Sequence, residues 1–243
     1  MLVEKVYVEK KFWIQKEKEL QHCETLLKEL PKMYLTIAEE IFEKTGDTID
    51  NSRSARLLIG LADHISFAVE RLEHGISYEN HLLWELKAFY PKEFETGLWA
   101  VELINESCFV RMPEEEAGNI ACHIINAQTK HLEIKDTIQS IQMLKDILRI
   151  IKMSFSGKKI HENNCYFSMV THLQYFIRRV LEKNMMPGKN AMTIGFYIKK
   201  YRDAYHCVEK ITSYVESKLK IKITDGEKLY ILVHLSRSTA PIG

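Results

Sequence analysis

The chain is poor in the residues that break regular structure: its 243 residues include only 10 glycines and 5 prolines. So few turn-formers leave little room for the many tight connections of a β-rich fold. Cysteine is equally sparse. The five present, Cys23, Cys108, Cys122, Cys165 and Cys207, are odd in number and lack metal-type pairing, so they read as reduced thiols and not as a disulfide framework. Charge of one sign is missing too. Lysine plus arginine number 34 and aspartate plus glutamate 33, a formal net charge of +1 that gives the whole chain no footprint for nucleic acid. No apolar run approaches the length of a membrane span, and the N-terminus, with Glu4, Lys5, Glu9, Lys10 and Lys11, lacks a signal-peptide core, so a cytoplasmic protein is expected.

What is present is helical periodicity. Apolar content of 46% and charged content of 28% fit a globular chain with a buried core, and 243 residues suffice for two domains of ordinary size. Leu57, Leu58, Leu61, Ile65, Ala68, Val69 and Leu72 recur at spacings of three and four, one buried face of a helix from about Ser52 to Gly75. Asp63 and His64 lie at the edge of that face. Further helices are expected around Tyr34 to Ile41, Asn80 to Tyr90, Pro91 to about Glu106, and from Pro113 through His123. Proline at a first helical position forfeits no hydrogen bond, and Glu114, Glu115 and Glu116 complement the positive end of the dipole.

After a weak stretch between Thr129 and Lys135 the layout repeats. A long helix spans about Asp136 to Phe155, Gly157 is a break, and a helix holding His172 follows, then a polar loop from Asn184 to Ala191 and two more helices. The last begins at Thr224-Asp225-Gly226-Glu227, where the threonine and glutamate side chains have capping-box spacing, and it carries His234. The fold class is therefore all-α, two similar helical-bundle domains, residues 18–130 and 134–240. Residues 1–17 read as β-prone chain, with Val3, Val6, Tyr7 and Val8, followed by the start of a linker helix.

Two repeats support a duplication. His64-Ile65-Ser66-Phe67-Ala68-Val69-Glu70-Arg71 and His172-Leu173-Gln174-Tyr175-Phe176-Ile177-Arg178-Arg179 share histidine, aliphatic, aromatic, aliphatic and arginine at the same places. Tyr90 to His123 spans 33 positions and so does Tyr201 to His234, a register that sets Pro113 against Thr224, Glu116 against Glu227 and Ile120 against Ile231.

A lone histidine on a helix is most often a satisfied structural imidazole; four in register argue for one shared role. His22, His74, His81, His131, His161 and His206 have no counterparts and are expected at the surface. Metal binding is poorly served, because each half offers two histidines and at most one adjacent acid, Asp63, which Thr171 replaces in the second half. No Gly-x-Ser-x-Gly elbow or glycine-rich phosphate loop is present either. A metal-dependent phosphohydrolase of the HD type would want histidine followed by aspartate, the reverse of Asp63-His64. Accepting a phosphoryl group on a ring nitrogen asks for little beyond an accessible neutral imidazole, and it places close to two negative charges where there was none.

The segments Ala62-Asp63-His64-Ile65, Leu82-Leu83-Trp84-Glu85-Leu86-Lys87, Phe89-Tyr90-Pro91-Lys92-Glu93-Phe94 and Ala121-Cys122-His123-Ile124-Ile125-Asn126-Ala127 resemble the first phosphotransferase regulation domain of the bacterial BglG/LicT/SacY-type antiterminators. Val170-Thr171-His172-Leu173, Tyr201-Arg202-Asp203-Ala204-Tyr205 and Val233-His234-Leu235-Ser236-Arg237 resemble their second such domain, and together the likeness covers about residues 18 to 237.

The resemblance implies a non-enzymatic regulator, without cofactor or metal, that forms a homodimer controlled by histidine phosphorylation. His64 and His123 would accept from a sugar permease of the phosphotransferase system, and His172 and His234 from the phosphocarrier protein HPr. Asp63 would orient His64 and Arg237 would steady a phosphate. Family members begin with a β-rich domain that binds an RNA hairpin, of which residues 3–7 look like the closing strand, so RNA binding is expected only through that missing part. The same modules also occur in DNA-binding activators, which the residues here leave open.

Overall fold

The computed structural model describes residues 30–46, 49, 51–76, 80–129, 133–155, 164–188 and 191–239. The expected β-prone start, the linker helix before Pro31 and the break at Gly157 lie outside them. Among the described residues there are ten α-helices and no strand, as expected of an all-α chain. The chain divides into two compact units, residues 1–130 and 131–243.

In the first unit, α1 (Lys32–Lys44), α2 (Asn51–Glu73), α3 (Leu83–Phe89), α4 (Pro91–Cys108) and α5 (Glu115–Gln128) follow one another. Helix α1 packs on α2, α2 on α5, α5 on α4, and α4 back on α1, closing a ring of four with the short α3 against α4 and α5. Ile41, Leu61, Ile65, Ile104, Ile120 and Ile124 are fully buried inside the ring. Each such side chain contributes roughly 1.5–3 kcal/mol relative to an exposed one. That makes the interlocking aliphatic faces, and not helix propensity, the force that holds the bundle.

The second unit repeats the plan with α6 (Ile134–Ser154), α7 (Asn164–Leu181), α8 (Ala191–Lys200), α9 (Arg202–Leu219) and α10 (Asp225–Thr239). The pairs are again α6 with α7, α7 with α10, α10 with α9, and α9 with α6, while α8 lies against α9 and α10. Ile141, Met143, Leu144, Ile147 and Phe176 fill its centre.

The duplication extends to backbone detail. One residue separates α3 from α4 and α8 from α9, and both are tyrosines in nearly the same conformation, Tyr90 at φ −134°, ψ 51° and Tyr201 at φ −126°, ψ 57°. Helices α4 and α9 both end on a left-handed residue, Phe109 and Lys220, each at φ 56°. The amide of Met112 donates to Asn105 Oδ1 at 2.7 Å, and that of Ile223 to Glu216 Oε1 at 2.9 Å, the same bond made by an amide in one unit and a carboxylate in the other. Helix α2 closes with Ile76 N–H on the Arg71 carbonyl and Gly75 N–H on Leu72; α7 closes with Asn184 on Arg179 and Lys183 on Val180, a Schellman ending in both cases.

Candidate functional site

Because α2 and α5 run antiparallel, residues two turns apart on one meet residues two turns apart on the other. His64 and Arg71 are seven positions apart on α2, and Glu116 and His123 seven apart on α5. Arg71 near the end of α2 therefore meets Glu116 in the first turn of α5, and the two form an ion pair. Both charges also suit their helix termini, cation at the carbonyl end and carboxylate at the amide end. Glu116 Oε2 accepts from His64 Nε2 at 3.0 Å and from Asn119 Nδ2 at 3.0 Å, and Asn119 Oδ1 in turn accepts from Asn80 Nδ2 at 3.0 Å. The His64 ring lies 5.0 Å from that of His123, centroid to centroid.

Burial alone would raise the Glu116 carboxyl, but hydrogen bonds from His64 and Asn119 and the charges of His64 and Arg71 outweigh it and hold its pKa below the usual range. Glu116 is thus an anion at neutral pH, and an anion can only accept. The proton on His64 Nε2 is fixed by that fact. His123 is pushed far down, first by the protein packed around it and then by His64, so its ring is neutral.

The second unit carries the same four groups, with His172 and Arg179 seven apart on α7 and Glu227 and His234 seven apart on α10. Arg179 binds Glu227 through two parallel bonds, Nε to Oε1 at 2.8 Å and Nη2 to Oε2 at 2.7 Å. Glu227 Oε1 also accepts from the amide of Met186 at 2.8 Å. The histidine rings stack with centroids 3.4 Å apart. Here Tyr230 stands where Asn119 stands in the first unit, and its Oη lies 2.7 Å from His172 Nδ1. Arg179 covers the Tyr230 ring at 4.4 Å. Both histidines are held below their ordinary pKa: His172 by burial, then by Arg237 and Arg179, and His234 by burial, then by His172 and the same two arginines, to about 4.

Of the residues expected at the site, His64 meets His123 and His172 meets His234. Arg237 is exposed, yet its charge reaches both rings of the second unit. Asp63 is different. Successive helical residues point about 100° apart, which leaves Asp63 exposed, and no hydrogen bond joins it to His64 among the described residues; Glu116, distant in sequence, holds that ring. The expected capping box at Thr224 is half made. The Glu227 amide reaches Thr224 Oγ1 at 3.3 Å, but the Glu227 carboxylate is drawn to Arg179 and Met186 instead. His74, His81 and His206 are exposed as expected, whereas His22, His131 and His161 lie outside the described residues.

Sequence reasoning missed Arg71, Arg179, Glu116, Glu227 and Tyr230 as members of the site. A signal existed in the paired seven-residue spacings, which put two polar groups on one helix face in both halves. Among the described residues no group of three or more histidine, cysteine, aspartate or glutamate side chains could hold a metal ion, and no helix is long and apolar enough to cross a membrane.

The PRD domain family matches the chain twice, over residues 35–127 and 142–238. The chain is 32% identical over 235 residues to the transcription antiterminator LicT of Bacillus subtilis (strain 168), covering 97% of this chain and 84% of that protein. It is also 32% identical over 234 residues to the beta-glucoside operon antiterminator of Dickeya chrysanthemi, covering 95% and 81%. The PtsGHI operon antiterminator of Bacillus subtilis (strain 168) is 28% identical over 178 residues, 73% of this chain and 62% of that protein. Two rings of four helices, each with paired histidines beside a buried arginine–glutamate bond, thus coincide with the two family matches, and the chain belongs to the PRD-containing transcription antiterminators.

Proposed function

We propose that this chain is the sugar-responsive regulatory part of an antiterminator, switched by phosphoryl groups that the phosphotransferase system places on its paired histidines. One observation carries the reading: each unit sets two imidazoles in contact beside a guanidinium that is paired with a buried carboxylate. Such a site is suited to receive a phosphoryl group from a donor protein. Neutral imidazole is a nucleophile, and the arginines near His172 and His234 favour the added anion.

In this reading HPr phosphorylates His172 and His234, a sugar permease phosphorylates His64 and His123, and the added charge shifts a homodimer between active and inactive arrangements. The output in this reading is transcription antitermination, as the names of the relatives above have it. The test is incubation of the full chain with phosphoenolpyruvate, the general phosphotransferase enzyme and HPr, followed by mass spectrometry under alkaline conditions. Acid-labile phosphate is expected on His172 or His234. Label on none of the four paired histidines, with the permease also supplied, overturns the proposal.

A further inference from the structure

The two units hold their first histidine by opposite ring nitrogens. His64 is held at Nε2, 3.0 Å from Glu116, while His172 is held at Nδ1, 2.7 Å from the Tyr230 oxygen. Among the described residues the other nitrogen of each ring has no hydrogen-bond partner. Resting on the function proposed above, we infer that the two domains take the phosphoryl group on different atoms, Nδ1 in His64 and Nε2 in His172.

The argument is first one of space. A phosphorus bonded to a ring nitrogen lies on that nitrogen's lone-pair axis, and an N–P bond is far shorter than either hydrogen bond. At the held nitrogen, that axis is already filled by Glu116 or Tyr230. Charge adds to space in the first domain, where a phosphoryl group on Nε2 would be set directly against an ionised carboxylate.

The chemistry then follows from where the proton sits. In the singly protonated ring Glu116 accepts the Nε2 proton of His64, which leaves the lone pair on Nδ1. That pair attacks the phosphorus carried by the phosphorylated side chain of the donor. The new Nδ1–P bond forms as the donor's own bond to phosphorus breaks, and the pair from the broken bond returns to the donor atom, which leaves with it. The His64 ring keeps its Nε2 proton and becomes cationic beside Glu116. No proton has to cross. In the second domain the reactive tautomer donates its Nδ1 proton to Tyr230 Oη and attacks through Nε2, and Arg179 and Arg237 supply the positive field for the phosphoryl oxygens.

The two products are distinct compounds, the π isomer for Nδ1 and the τ isomer for Nε2. The full chain is phosphorylated with phosphoenolpyruvate, the general enzyme, HPr and the phosphorylated permease domain, digested at alkaline pH, and its peptides are read with isomer-selective antibodies. Trypsin releases His64 as the sole histidine of the peptide Leu57–Arg71, so its isomer is read without overlap. The expected result is π phosphohistidine in that peptide and τ at His172. The same isomer at both, the reverse pair, or label confined to His123 and His234 overturns the assignment while leaving the proposed function standing; label on none of the four overturns the proposed function instead. One variant tests the group that selects the nitrogen. Tyr230→Phe keeps the ring and removes the oxygen, and the π share at His172 should rise about tenfold, the factor one ordinary hydrogen bond controls. An unchanged isomer ratio in that variant counts against Tyr230 as the group that selects the nitrogen and overturns the inference for the second domain.

Discussion

Glu227 is the residue on which the second site is built. Its carboxylate is fully buried and meets both a guanidinium and a backbone amide, so removing it leaves a largely sheltered Arg179 without its counter-charge. Glu227→Ala should destabilise that domain by about 2 kcal/mol, a figure reduced from the fully buried case because Arg179 retains some contact with water. Denaturant unfolding followed by amide exchange in α10 measures it. His234 gives a pH signature. Its folded-state pKa of about 4 lies below the ordinary histidine value of 6.5, so between these limits the unfolded chain binds more protons than the folded one. Stability therefore rises with pH across that window and is lost as pH falls from 6.5 towards 4. His234→Asn, which cannot titrate, should reduce the slope of this part of a melting-temperature profile and leave the contributions of His123 and His172, which are also held low.

The paired histidines were legible because they sit in register on strongly periodic helices. Their partners were not, since a carboxylate that binds His64 from 52 positions away carries no local mark, whereas Asp63 stands beside it in sequence and points elsewhere.

Glycine decides how closely two helices approach. A Cβ on Gly97 of α4 would lie 2.2 Å from the Ala117 carbonyl oxygen of α5, and backbone cannot swing aside as a side chain can. Gly97→Ala should cost about 3 kcal/mol by forcing those helices apart, read as a fall in the first domain's unfolding midpoint. Gly195 in α8 faces open space, so Gly195→Ala should instead stabilise by roughly 0.5–1 kcal/mol through helix propensity alone. At the end of α7, Lys183 adopts φ 55° where the first domain has Gly75 at φ 70°. Lys183→Gly should therefore gain about 1 kcal/mol, and Gly75→Ala should lose a similar amount. Helix existence was legible here from period and proline, as at Pro91, but the close approach at Gly97 was not: a glycine needed for contact reads like any other glycine until its neighbour is known.

The whole chain stands almost at electrical balance, with a net charge of +1 and an isoelectric point near 7.7. Each phosphoryl group brings about −1.5 to −2 charges, so a single one reverses the sign of the molecule. Isoelectric focusing should resolve phosphorylated forms as an acidic ladder, and sedimentation at low and high salt should show self-association that differs between rungs and fades as salt screens the added charge.

Glu227 joins α10, α7 and the segment at Met186, two turns below His234. Sliding α10 past α7 would break the bonds that Glu227 makes to Arg179 and to the Met186 amide, so the helix that carries His234 is tied to two other segments at its opposite end.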